Sequence, residues 1–146
     1  MMIAVASDHA GFEYKEKTKK LLDEMKLAYK DFGTFSKDSV DYPDYGHQAA
    51  ESVSKGECDR GILICGSGIG MSIVANKSRG VRAAECVTPE MAEVARRHNN
   101  ANVLTFGERF ITWEIAAEII KTFLTTPFEG GRHERRVEKI HSLTGK

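Results

Sequence analysis

One thiol stands at the head of a glycine-rich turn in residues 62–72, ILICGSGIGMS. Cys65 closes an apolar run, and Gly66, Gly68 and Gly70 follow in alternation. Strand, glycine turn and helix in that order form a unit whose backbone N–H groups face an anion. A free thiol titrates near ~8.5, and a nearby helix N-terminus lowers this by favouring the thiolate. A thiolate so placed can be a nucleophile, a redox centre or a general base. The N–H groups that favour it also stabilise a developing oxyanion. A base beside an oxyanion hole is what proton removal from carbon next to a carbonyl requires. The plain alternative is a packed thiol, since free cysteine is among the most buried residue types. The glycine turn favours chemistry at Cys65, whereas Cys58 in a turn and Cys86 at a strand end have no such context.

The usual phosphate loops do not fit. A dinucleotide fingerprint, GxGxxG, needs glycine where Met71 stands, and no Lys-Ser/Thr pair follows at Walker spacing. A phosphatase loop, C-x5-R, needs arginine at that same position. The loops that hold flavin mononucleotide on similar sheets use hydroxyl-rich turns rather than three glycines.

The elements that position this turn follow from periodicity. Residues 2–7 form a buried strand, and 12–26 turn helical, with Tyr14, Thr18, Leu21 and Met25 on one face. Residues 27–32 form a second strand, and 33–45 a polar loop. Pro43 suits a helix start, and the helix runs through 47–54 to Gly56. Residues 61–64 form a central strand, 69–77 a buried helix and 81–86 a fourth strand. Thr88 caps a helix that has Pro89 at its first position and reaches about His98. Residues 102–106 form the fifth strand. Thr112 starts an amphipathic helix with Ile115, Ala116, Ile119, Ile120 and Phe123 in one stripe.

A final helix, 132–143, is mostly polar with a thin stripe of Val137, Ile140 and Leu143, so it is expected to cross onto a partner subunit. Five apolar strands alternating with helices define an α/β class: a three-layer αβα, Rossmann-like (flavodoxin-like) sandwich on a parallel sheet, spanning 1–146 as one domain. Ligands of such sheets sit beyond the carboxyl ends of the strands. That rule selects Ser7-Asp8-His9, Cys65–Gly70 and Gly107–Arg109.

Composition sets bounds. The 146 residues are 41% apolar and 29% charged, with 21 basic and 21 acidic side chains. A neutral balance disfavours nucleic acid as partner and leaves room for a local cationic site. No apolar run approaches the ~20 residues of a membrane span. The start, MMIAVASDHAGF, lacks the basic region of a signal peptide. Three cysteines without a CxxC point to reduced thiols in the cytoplasm, and no Cys or His spacing suits structural zinc.

Taken in order, SDHAGF at 7–12, DYPDY at 41–45, CGSGIGMSIVANK at 65–77, RRHNNANVL at 96–104 and GGRHERR at 130–136 span nearly the whole chain. With them the chain resembles the type B ribose-5-phosphate isomerases, which are grouped with the galactose-6-phosphate isomerase subunits. The resemblance implies interconversion of ribose 5-phosphate and ribulose 5-phosphate through an enediolate, in the non-oxidative pentose phosphate pathway, without metal or cofactor. It implies Cys65 as the base between C1 and C2, with Gly66, Ser67, Gly68, Ile69 and Gly70 as the anion hole. His98 becomes the acid/base that opens the furanose ring, with Asp8 nearby. Asn99 holds sugar oxygens, Tyr42 lines the pocket, and His9, Arg109, Arg132 and Arg136 bind the phosphate.

Arg132 and Arg136 are four apart, so they share a helix face, and two guanidinium forks suit one phosphate. In the family the last helix lends its arginines to the neighbouring subunit. That implies a homodimer with shared sites, or a tetramer built from it. Plainer roles stand beside these. Asp8 can serve its own turn, Asn99 or Asn100 can be a helix C-cap, and His98 can answer a helix dipole. His47, His133 and His141 read as surface residues, and Arg135 and Lys139 as a solvated face.

Two positions qualify the match. Ser67 stands where many members have threonine, which bears on substrate ranking. Met71 stands where a second subgroup has a glutamate base, which places the chain with the cysteine-based subgroup. Two other functions remain: isomerisation of a six-carbon aldose phosphate such as allose or galactose 6-phosphate, and non-catalytic binding of a sugar phosphate or nucleotide.

Overall fold

The computed structural model describes residues 1–146. Five strands form one parallel sheet: β1 (Met2–Ser7), β2 (Ala28–Asp31), β3 (Arg60–Cys65), β4 (Ala83–Glu85) and β5 (Val103–Gly107). Between and after them come α1 (Phe12–Glu24), α2 (Tyr42–Ser54), α3 (Ile69–Ala75), α4 (Pro89–Asn99), α5 (Trp113–Thr125) and α6 (Arg132–Thr144). The pleat sends alternate strand residues to opposite faces. Ile3, Val5, Ile62, Ile64, Leu104 and Phe106 pack under α1, α4 and α5. Ala4, Ala6, Leu63, Cys65 and Val103 pack under α2 and α3. Three layers result, as expected.

The strand order is β2-β1-β3-β5-β4, so the last two strands are exchanged relative to the sequential flavodoxin order. The exchange matters for function. It pairs Cys65 with Gly107 across β3 and β5, so the turn after β5 falls beside the thiol. The turn after β1 falls on its other side, because Ser7 pairs with Ile64.

Several elements depart from the expected pattern. The helix after the polar loop starts at Tyr42, three residues before the loop was expected to end, with Pro43 in its first turn. β4 shrinks to three residues because the Asn102 side chain accepts from Arg82 N–H at 2.8 Å in place of a ladder bond. α3 is not wholly buried: Met71 and Ala75 point inward while Ile69 and Ile73 are exposed. Ile115 likewise leaves the α5 stripe, and Leu124 joins it.

Lys15 falls on the buried face of α1, where its Nζ donates to Asp31 Oδ1 at 2.6 Å and to the Thr34 carbonyl at 2.6 Å. The expected cap at Thr88 forms, its Oγ1 accepting from Met91 N–H at 3.2 Å, and Thr112 also caps the helix it starts, its Oγ1 accepting from Ile115 N–H at 3.3 Å. No helix is long and apolar enough to cross a membrane.

Candidate active site

At the carboxyl edge of the sheet, the turns after β1, β3 and β5 and the start of α2 enclose a cavity of about 480 Å³. Asp8, His9, Tyr42, Cys65, Gly66, Ser67, Gly70 and Arg109 all line it. Sequence reasoning missed Ala10 and Phe110, each the chain neighbour of a residue it selected.

Cys65 is buried at the end of β3, and its Sγ accepts a hydrogen bond from Gly68 N–H at 3.1 Å. Gly68 reaches that position with φ at +85°. A Cβ there would stand 2.7 Å from the Phe106 carbonyl carbon, so only glycine fits between α3 and β5. Ile69 N–H is taken up by Ser67 Oγ at 3.2 Å. Two of the five expected anion-hole donors thus serve the loop and the thiol. The N–H groups of Gly66, Ser67 and Gly70 donate to nothing in the chain and line the cavity.

The walls supply positive charge and shape. The Arg109 guanidinium packs on Gly66, where a Cβ would come within 3.2 Å of Cζ, and it has no acceptor within the chain. The Tyr42 ring covers Gly70, where a Cβ would come within 2.6 Å of its carbons. His9 Nδ1 faces the Val40 backbone, with the N–H at 3.1 Å and the carbonyl oxygen at 3.2 Å. When Nδ1 accepts from the N–H the neutral ring carries its hydrogen on Nε2, leaving a donor for the cavity. Asp8 is buried, and its Oδ1 accepts from Gly11 N–H at 3.0 Å, so the turn role is real and the other oxygen remains.

His98, Asn99, Arg132 and Arg136 are not brought to this cavity within the chain. α4 runs from the carboxyl edge back to the start of β5, so its end lies at the opposite edge of the sheet. There Asn102 O accepts from Gly61 N–H at 2.9 Å, at the beginning of β3. Asn100 takes the left-handed cap, φ 47°, which leaves Asn99 as the last helical residue.

His98 stacks on His133, ring centroids 4.2 Å apart and planes 7° off parallel. Glu129 completes the cluster, its carboxylate 3.9 Å from His98 Nε2 and 3.8 Å from His133 Nε2. His133 is therefore buried rather than a surface residue, because α6 lays its first turn on α4. Burial first, then the charges of His98 and Arg132, push its pKa below the usual imidazole value. A ring nitrogen of His98, one of His133 and a Glu129 carboxylate oxygen lie within 4.8 Å of one another. His141, also expected at the surface, lies 2.9 Å from Arg82 Nη1. Arg132 and Arg136 stand exposed on α6, one turn apart.

A thiol, open amides and a free guanidinium at the carboxyl edge of a parallel three-layer sheet define an α/β protein built to act on a small anionic molecule. Residues 3–140 match the model of the ribose/galactose isomerase family, and the chain belongs to that family. It is 45% identical over 141 residues to ribose-5-phosphate isomerase B of Escherichia coli strain K12, covering 97% of this chain and 95% of that one. The solved ribose-5-phosphate isomerase B of Clostridium thermocellum superposes with a TM-score of 0.97 at 47% identity, covering 99% of this chain and 98% of that one. The Mycoplasma genitalium ribose-5-phosphate isomerase B, solved with bound ribulose-5-phosphate, superposes at 0.95 with 40% identity, covering 99% and 97%.

Proposed function

We propose that the chain, as one domain, interconverts ribose 5-phosphate and ribulose 5-phosphate with Cys65 as the proton-transfer base. The observation that carries the reading is the buried Cys65 sulfur in one cavity with three unused N–H donors and the free Arg109 guanidinium. A relative that holds ribulose-5-phosphate supports the choice of substrate. In the open-chain aldose, the Cys65 thiolate takes the hydrogen on C2. The C2–H pair forms the C1=C2 bond, and the carbonyl π pair moves to O1. Gly66, Ser67 and Gly70 N–H groups meet the enediolate oxygens as charge develops. The O2 proton passes to O1, and the thiol returns its proton to C1, giving the ketose. His9 Nε2–H and Arg109 hold the phosphate.

The remaining groups come from a second copy. His98, Asn99, Arg132 and Arg136 lie at the far edge of the sheet, and α6 carries exposed Ile140 and Leu143 beside the arginines. A homodimer that seats this end on the partner's cavity supplies His98 as the acid/base for ring opening, Asn99 for sugar oxygens and two guanidinium forks for the phosphate. The protein works in the cytoplasm as one of the cysteine-based members, a reading supported by three unpaired thiols and by a buried Met71 where the other subgroup has its glutamate.

The test is proton NMR of ribose 5-phosphate in D2O with catalytic protein. Ribulose 5-phosphate should appear, with deuterium at the transferred position. The Cys65→Ala protein should stay folded and lose ~10²–10⁴ in rate. Full turnover in that variant would remove Cys65 from the reaction. An unchanged spectrum with the native protein would remove ribose 5-phosphate.

A further inference from the structure

A second polar cavity, about 540 Å³, lies at the edge of the sheet opposite Cys65. Arg60, Arg82 and Arg96 face it together with Asn100, Asn102 and Asp59. None of the three arginines forms a salt bridge; the ion pairs of the chain lie elsewhere. Asp59, the one acid on the wall, accepts from Met2 N–H at 2.6 Å. Three guanidinium charges therefore share a pocket with one carboxylate that already has a partner.

Helix-end carbonyls satisfy some of their donors. Arg96 Nε donates to Thr126 O at 3.2 Å, and Nη1 donates to Ala101 O at 2.5 Å and Asn100 Oδ1 at 2.9 Å. Arg82 Nε and Nη2 both reach Asn100 O, and Arg60 Nη1 reaches Phe123 O at 2.9 Å. These contacts explain why the side chains are ordered, but neutral carbonyls do not cancel charge. Arg96 is only 4% exposed, and a charge that deep is ordinarily paired. Burial, then the neighbouring Arg60 and Arg82, push its pKa down to about 10. Arg60 Nε and Nη2 and Arg96 Nη2 have no acceptor in the chain.

We propose that this cavity binds a compact oxyanion of the phosphate class, either inorganic phosphate or the phosphate of a small ester. Guanidinium forks with unused donors match tetrahedral oxygens. Two charges beyond Asp59 suit a dianion, and the cavity leaves room for a small ester behind the phosphate. The site stands apart from Cys65 and does not depend on the isomerase reading. It meets the end of α4 two residues beyond His98, where Asn100 is held by both Arg82 and Arg96.

The test titrates inorganic phosphate into the full chain carrying Arg109→Ala, Arg132→Ala and Arg136→Ala, which strips the Cys65 site of its guanidinium groups, at ionic strength held constant with sodium chloride and followed by calorimetry. Phosphate should bind, and adding Arg60→Gln should weaken that binding by about tenfold or more, the usual worth of a lost charge-assisted bond. Asp59→Asn should strengthen it severalfold, and circular dichroism checks that each variant is folded. A parallel titration with glycerol 2-phosphate separates a site that takes esters from one that takes only the free ion. No binding to the protein carrying the three alanine substitutions would overturn the proposal. So would binding that neither Arg60→Gln nor Asp59→Asn changes.

Discussion

Gly68→Ala is the substitution that separates backbone geometry from side-chain chemistry in the Cys65 turn. Gly68 has φ +85° and would place a Cβ 2.7 Å and 2.8 Å from the Phe106 backbone and 3.0 Å from Gly107 N. A non-glycine residue in the left-handed region costs roughly 1–2 kcal/mol, and overpacking a rigid contact adds roughly 1–3 kcal/mol. The expected loss of stability is therefore about 2–5 kcal/mol. Gly80 is the control: φ is +72°, and a Cβ there meets nothing within 4 Å. Gly80→Ala should show only the conformational part, roughly 1–2 kcal/mol. Urea unfolding of both variants measures the difference.

Activity should divide them further. To relieve the clash the turn must move off β5, taking Gly68 N–H from the Cys65 sulfur and shifting the Ser67 and Gly70 donors. Displacing an oxyanion donor costs ~10²–10³ in kcat, so Gly68→Ala should fall by that order while Gly80→Ala keeps its native rate. Equal stability losses, or a Gly68→Ala protein with native kcat, would refute the reasoning.

Two further outcomes concern the scaffold. Burial works to raise the Asp31 pKa, but hydrogen bonds from Lys15, Gly33 N–H and Lys19 outweigh it and hold the carboxyl below its usual 3.8. A depressed carboxyl contributes stability that is complete above 3.8 and is lost as pH falls through its folded value. Asp31→Asn should flatten that acid limb in pH-dependent unfolding and cost ~3–5 kcal/mol at neutral pH, because the buried Lys15 loses its close carboxylate and keeps only the Thr34 carbonyl and a 3.8 Å contact with Glu16. Thr112→Ala should cost ~1 kcal/mol by removing the α5 cap while leaving kcat/KM unchanged, as chemical denaturation and steady-state kinetics would record.

Layer architecture and the thiol turn were legible because each is a local pattern. Alternating apolar strands and a Cys-Gly-x-Gly-x-Gly junction occupy consecutive residues, and the strand-end rule then pointed to Asp8, His9 and Arg109. The exchange of β4 and β5 was not legible, since both orders use the same apolar strands. In the folded chain β5 lies beside β3, and Gly107 packs on Ser67 where a Cβ would come within 2.4 Å. The buried partners were hidden for another reason. Lys15 and Arg96 are polar types whose burial depends on acceptors elsewhere in sequence, Asp31 and Thr126, and His133 is buried by stacking on the His98 ring of α4. The bonds within the turn, Gly68 N–H to Cys65 Sγ and Ile69 N–H to Ser67 Oγ, were likewise not legible, because they depend on the three-dimensional path of the loop.

The most direct measurement of the shared-site account uses a hybrid dimer. Cys65→Ala and His98→Ala chains carrying different affinity tags would be co-expressed, and the mixed dimer isolated through both tags. If each site takes Cys65 from one copy and His98 from the other, the hybrid contains one doubly altered site and one intact site. Its ribose 5-phosphate isomerase rate should then approach about half the native value, by the two-fold symmetry of the dimer, while both parent homodimers remain nearly inactive. A hybrid no faster than its parents would contradict the account, because it would leave every site with one lesion and place Cys65 and His98 in service of the same chain.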